Sequence, residues 1–203
     1  MESHTHCVRN KKERAQYGGL IMDSRLFSLP QDLVTTHETR DPFRLAETLG
    51  FYVRFINAKK QKGFCTNILN NYFIFINENL SPQMQRMTCA HELGHILLHR
   101  DRLRRAKDGP FQRIVEMELF DITSSTEYEA NLFAANLLID ERALTEMLRD
   151  GRDIVSIASS LDVNVNLLAL KLAEMKKNGI DLRIPFTPDR RFMGKIEDRA
   201  DSL

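Results

Sequence analysis

Residues 91–95 read His-Glu-Leu-Gly-His, and the stretch that carries them has the marks of a helix. Ser81 and Pro82 supply a start signal, and Gly94 is the only Gly or Pro between there and Arg100. Side chains four apart stand one above the other on a helix face, so His91 and His95 converge on one metal ion, and zinc suits such a pair. Glu92 then lies beside the metal, where a carboxylate takes a proton from an attacking water and returns it to a leaving amine. A catalytic zinc needs a third protein ligand and one open position. His99 does not qualify. Eight residues at a rise of about 1.5 Å put it roughly 12 Å along the axis from His91, too far for bonds of about 2 Å. It is read instead as a substrate-binding, cleft-lining residue.

The three-histidine extension of the motif is missing too, since Leu98 and Asp101 occupy its glycine and final histidine positions. The third ligand must come from another element. The segment 127–134, Glu-Tyr-Glu-Ala-Asn-Leu-Phe-Ala, offers one. Glu127 at the start of a helix is the preferred ligand, and Asn131, one turn on, is placed to orient a ligating histidine from behind. Ala130 and Ala134, opposite Gly94, would let the two helices approach closely. Two capping boxes overlap here, Ser124 with Glu127 and Thr126 with Glu129. If the second operates, Glu127 is left for the metal; Glu129 stands as the alternative ligand.

Around these two helices the chain reads as an α+β domain. Asp41 caps a short helix with Pro42 at its first position and Gly50 beyond its end. Residues 51–56 and 72–76 are β-rich runs, with a shorter strand at 63–65 and a turn at Asn70 and Asn71. No helix-length segment separates them, so a small, mainly antiparallel sheet is expected. Residues 101–108 are dense in charge and read as an exposed connection. Helices are expected at 125–139, restarting over 141–148, and at 154–161 and 165–177. The expected division is an N-terminal extension over 1–40, a metallopeptidase core over 41–150, a helical subdomain over 151–182 and a tail over 183–203.

Composition narrows the functional classes. Lys plus Arg is 29 and Asp plus Glu is 28, so the whole chain has no electrostatic pull toward nucleic acid or anionic lipid. No apolar run approaches the roughly 20 residues of a membrane span, and no membrane partner is expected. Three cysteines, Cys7, Cys65 and Cys89, are too scattered for a disulfide framework, which fits a reducing compartment such as the cytoplasm. His4, His6 and His37 read as surface residues, Cys89 as a small core residue, and Met84 and Met87 as packing. Phe64 and Cys65, on the expected edge strand, could line a cleft in which an extended substrate adds as a further strand.

Residues 154–177 have the rhythm of a helix-turn-helix, with Ile154, Ile157, Ala158 and Leu161, then a turn through 162–164, then Leu167, Leu168, Leu172 and Met175. A DNA-reading helix needs exposed polar side chains, and the second helix offers Asn166, Lys171, Lys176 and Lys177. Packing on the core or docking a protein partner is preferred here over direct DNA contact.

The chain resembles the ImmA/IrrE-type metallopeptidases of bacteria and their mobile elements. The matching pieces are Thr39-Arg40-Asp41-Pro42-Phe43, the strand at 72–77, the run 89–95 with Leu98-His99, and Glu127-x-Glu129-Ala130-Asn131-x-Phe133-Ala134-Ala135. Its glutamate helix also resembles the E-x-x-A-D/N pattern of gluzincin peptidases, whose glutamate falls on Glu127. One departure is Leu137-Leu138-Ile139-Asp140, where many members read Leu-Leu-Met-Pro. The resemblance implies a zincin-like core, a zinc endopeptidase, and as substrate a regulatory protein, often a helix-turn-helix repressor, which makes the enzyme an antirepressor. The competing expectation is a regulatory protein that docks a repressor or DNA and keeps zinc for structure or sensing.

Overall fold

Residues 52–77 carry enough β-branched and aromatic side chains to make three strands, β1 (Tyr52–Ile56), β2 (Gly63–Ile68) and β3 (Asn71–Asn77). The computed structural model describes residues 25–105 and 125–179. His4, His6, Cys7, the Ser124 cap, Gly109-Pro110 and the tail from 183 lie outside them. The strands pair in the order β1-β3-β2. β2 and β3 form an antiparallel hairpin closed by Leu69 and Asn70, both at positive φ (49° and 65°), one residue earlier than the expected turn.

β1 does not join that pattern. It lies parallel to β3, Val53 opposite Ile74, so only one of the two strand pairs is antiparallel and the expected mainly antiparallel sheet is corrected. The reason lies in the connection after β1, which carries the chain past β3 to the sheet's other side. Asn77, almost wholly buried, holds that crossover by donating from Nδ2 to the carbonyls of Ala58 (2.7 Å) and Gln61 (2.9 Å).

One face of β3 (Tyr72, Ile74, Ile76) packs on α3 (Pro82–Leu98), which is buried on most sides, from Met87 through Gly94, because α2 (Pro42–Thr48) and α5 (Ser125–Leu138) cover it as well. Caps set these helices. Asp41 accepts from Phe43 N with Pro42 in the first turn, and Ser81 Oγ accepts from Met84 N. The chain bends at His99 and continues as α4 (Arg100–Arg105), so the start of the expected connection is helical. The expected small-residue contact between α3 and α5 is also corrected. The ring of Phe133 lies over Gly94, where an added Cβ would sit 3.0 Å from Cδ1. The close approach is made by glycine and an aromatic plate, whose burial contributes on the order of 2–3 kcal/mol.

Residues 25–37, read from sequence as part of an extension, form α1 (Arg25–His37), packed on α5. Leu26, Leu29, Pro30, Leu33 and Val34 make an apolar face at helical spacing, and Pro30 masks it. Pro30 lacks the N–H that would bond the Leu26 carbonyl, and Asn136 of α5 supplies a donor instead, Nδ2 to Leu26 O at 3.2 Å. Arg40 closes the same C-terminal end of α5. It donates to Leu137 O (2.9 Å) and pairs with Asp140 (2.7 Å), which itself caps α6 (Glu141–Arg149) by accepting from Arg142 N and Ala143 N. The departure from Leu-Leu-Met-Pro is therefore a working helix cap.

α7 (Ile154–Ser160) and α8 (Val165–Lys177) meet at 108°. Ile157, Ala158, Leu167, Leu168, Leu172 and Met175 enter the same hydrophobic cluster as the sheet and α3. Lys171, expected as an exposed polar residue, is only 3% exposed and is held by Asn136 Oδ1 and Glu141 Oε2, each at 2.8 Å. No single helix among the described residues is long and apolar enough to cross a membrane.

Candidate metal centre

The α3 spacing brings the two imidazoles edge to face, with ring centroids 4.6 Å apart and their Nε2 atoms at 3.0 Å. Glu127, in the first turn of α5, reaches both. Its Oε2 is 3.2 Å from His91 Nε2 and its Oε1 is 3.1 Å from His95 Nε2. Among the described residues, these three form the one His/Cys/Asp/Glu group whose donor atoms all lie within 4.8 Å of one another.

Asn131 sits one turn along α5 and is 2% exposed; His91 Nδ1 lies 2.9 Å from its Oδ1. An amide oxygen accepts, so Nδ1 carries the hydrogen and Nε2 presents its lone pair toward the cluster. Burial alone would raise the Glu127 pKa, but the hydrogen bonds and charge that His91 and His95 supply when protonated outweigh it and hold the carboxyl well below the usual carboxylate range. The His91 imidazole is lowered by burial and raised by Glu127, and the net direction is up. Two ring nitrogens and an ionised carboxylate on facing helices, with a partner fixing one ring from behind, fit a divalent metal on chemical grounds and leave a position open.

Glu92 is 5% exposed, and its Oε2 has no hydrogen-bond partner among the described residues. β2 flanks it. A Cβ on Gly63 would stand 3.8 Å from Glu92 Cγ and only 2.5 Å from Thr88 Cγ2, so glycine is what lets the strand pass this close to α3. Phe64 and Cys65 do lie on an edge strand, but neither side chain forms an open cleft wall. They are 5% and 1% exposed, Phe64 stacked on Phe75 on the far face and Cys65, two residues from Gly63, on the face toward α3. Strand alternation makes that split unavoidable.

His99 is outside the donor cluster. Its ring is 5.6 Å from that of His95, and its Nε2 is 3.7 Å from Glu129 Oε2. The alternative ligand Glu129 thus faces His99 while Glu127 faces the two histidines. Sequence reasoning passed over Tyr128, which donates from its hydroxyl to the buried Glu174 of α8, also bound by Lys177, and so ties the first turn of α5 to the C-terminal helix. No spacing rule connects residues that far apart in the chain.

The family model for peptidase M78, described as the IrrE N-terminal-like domain, matches residues 46–173. The chain belongs to the IrrE N-terminal-like peptidase family. It is 32% identical to immunity region protein 2 of Bacillus phage phi105 over 148 residues, 72% of this chain and 89% of that protein. It is also 31% identical to metallopeptidase ImmA of Bacillus subtilis (strain 168) over 124 residues, 58% of this chain and 65% of ImmA. The matched residues run from α2 into α8 and include both histidines, Glu92 and Glu127. For a peptidase of this family the cluster is the chemically reasonable seat of a divalent metal.

Proposed function

We propose that the protein is a zinc-dependent endopeptidase that cleaves a regulatory protein, a helix-turn-helix repressor of a prophage or mobile element, in the cytoplasm, and so acts as an antirepressor. The observation that carries this reading is the convergence of His91 Nε2, His95 Nε2 and the Glu127 carboxylate beside the buried Glu92. The immunity-region name of the phage relative and the metallopeptidase name of ImmA support the substrate class.

His91, His95 and Glu127 would hold the ion. Bound zinc supplies Lewis acidity, polarising the scissile carbonyl and easing ionisation of the attacking water. Glu92 takes the water's proton on Oε2 and delivers it to the leaving amine. Asn131 keeps His91 in the tautomer whose Nε2 faces inward. The helix pair α7 and α8 serves as a helical docking element more readily than as a DNA reader, because Lys171, one of its few cations, is buried in an ion pair.

The test compares wild type with Glu92→Gln at matched zinc content, using the helix-turn-helix repressor encoded beside the gene. Site-specific cleavage by wild type, reduced about 10²–10⁴-fold in the variant, is expected. Equal, tight repressor binding by both proteins without cleavage would replace the peptidase with a docking protein.

A further inference from the structure

The first turn of α5 carries more than a metal ligand. Consecutive helical residues point about 100° apart, so while Glu127 turns to the histidines of α3, Tyr128 turns to α8. Leu170, Glu174 and Lys177 recur on α8 at helical spacing and share the face that meets it. The Tyr128 ring packs against the small apolar cluster of Leu26, Leu132 and Leu170, and its hydroxyl donates to the Glu174 carboxylate. Lys177 Nζ donates to the same carboxylate and, at 3.1 Å, to the Tyr128 hydroxyl oxygen, and it lies 5.5 Å from the centre of the ring. A carboxylate only 2% exposed has to keep its partners, which makes Glu174 a fixed anchor and not a mobile surface charge.

We propose that Tyr128 is a positioning residue for Glu127. Its bond to the anchor on α8 fixes the rotation of the first turn of α5 about the helix axis, and that rotation sets where the adjacent carboxylate lies relative to His91 and His95. Both carboxylate oxygens are engaged there, at 3.2 and 3.1 Å from two different rings, so a small turn of the helix lengthens at least one approach. A metal site tolerates only about 0.5 Å or 10–20° of misplacement. Asn131 reaches His91 from the same helix, so the turn bears on two of the three donors. The role rests on the reading of His91, His95 and Glu127 as metal ligands. It differs from plain packing, which the ring alone supplies and phenylalanine would serve as well.

Tyr128→Phe removes the hydroxyl and keeps the ring, and Glu174→Ala removes the anchor from the other helix. Zinc affinity of the full chain is measured by competition with a chromophoric chelator, beside the thermal midpoint of the metal-free protein. Loss of a group that orients a metal ligand costs about 10–100-fold in affinity; Tyr128 acts through the backbone, so a loss of about 10-fold is expected in each variant. Because the two residues act through one bond, the double variant should bind within about threefold of either single. Glu174→Gln, which keeps an oxygen for the hydroxyl, should stay within about threefold of wild type. The visible bands of the cobalt(II)-loaded protein, which report the geometry of the donor set, should change in Tyr128→Phe and match wild type in Glu174→Gln. Wild-type affinity and bands in Tyr128→Phe, or losses that multiply to about 100-fold in the double variant, overturn the proposal in favour of separate packing contacts. If Glu174→Ala does not fold, Tyr128→Phe and Glu174→Gln decide alone. Should Glu127→Ala bind zinc as wild type does, the ligand reading falls and the proposal with it. Should the zinc results hold while wild type cleaves no repressor, the peptidase reading falls and the positioning of Glu127 stands.

Discussion

Asn136 joins three elements, and replacing it with Ala should show how α1 is held. Its Nδ2 donates to the Leu26 carbonyl orphaned by Pro30, and its Oδ1 accepts from the buried Lys171 ammonium. Loss of a buried carbonyl's donor costs about 1–3 kcal/mol, and loss of one of two partners of a buried cation about 1.5–3 kcal/mol. Asn136→Ala should therefore destabilise by about 3–5 kcal/mol. The two parts separate in a double-mutant cycle with Pro30→Ala, which returns an N–H one helical turn from Leu26. In that background Asn136→Ala should cost about 1–2 kcal/mol less, as read from urea unfolding midpoints at constant m-value. A coupling below about 0.5 kcal/mol would refute the view that Asn136 substitutes for the hydrogen bond proline removes.

Other consequences are as direct. Asn131→Ala should leave the fold intact and weaken zinc binding about 10–100-fold in a chelator competition, while Glu127→Ala should weaken it by more than about 100-fold. Gly63→Ala should be far more damaging than Gly94→Ala. Its Cβ meets the Phe75 backbone oxygen at 2.7 Å, whereas at Gly94 the contact is a side chain and alanine gains helix propensity of about 1 kcal/mol, so calorimetry should show a small shift for one and a large loss for the other. Asp140 is held below the usual carboxylate range, first by the Ala143 N–H, with Arg40 adding to it. A group so lowered stabilises the fold above its ordinary value of about 3.9 and loses that contribution as pH falls through the folded value. The stability gap between wild type and Asp140→Asn should thus be widest near neutral pH and close in acid.

The meeting of His91, His95 and Glu127 was readable because two of them obey the helical period and the third opens a helix whose Asn131 falls one turn later. The caps at Asp41 and Ser81 were readable for the same local reason. What escaped depends on partners far along the chain. α1 was hidden because Pro30 interrupts the helical signal, and the Asn136 donor that meets the freed Leu26 carbonyl lies 110 residues along the chain. The parallel pairing of β1 depends on a crossover held by Asn77, and Lys171 reads as a surface cation until Glu141 and Asn136 are seen beside it. The period of two does put Cys65 and Phe64 on opposite faces, but it does not say which face meets Glu92.

The most direct test of the account is the coordination of zinc in the loaded wild-type protein, read by X-ray absorption at the metal edge. One ion per chain with two imidazole nitrogens and carboxylate oxygen, reduced to the two imidazoles in Glu127→Ala, is the predicted result. A sulfur ligand at about 2.3 Å, or a first shell unchanged by Glu127→Ala, would contradict it.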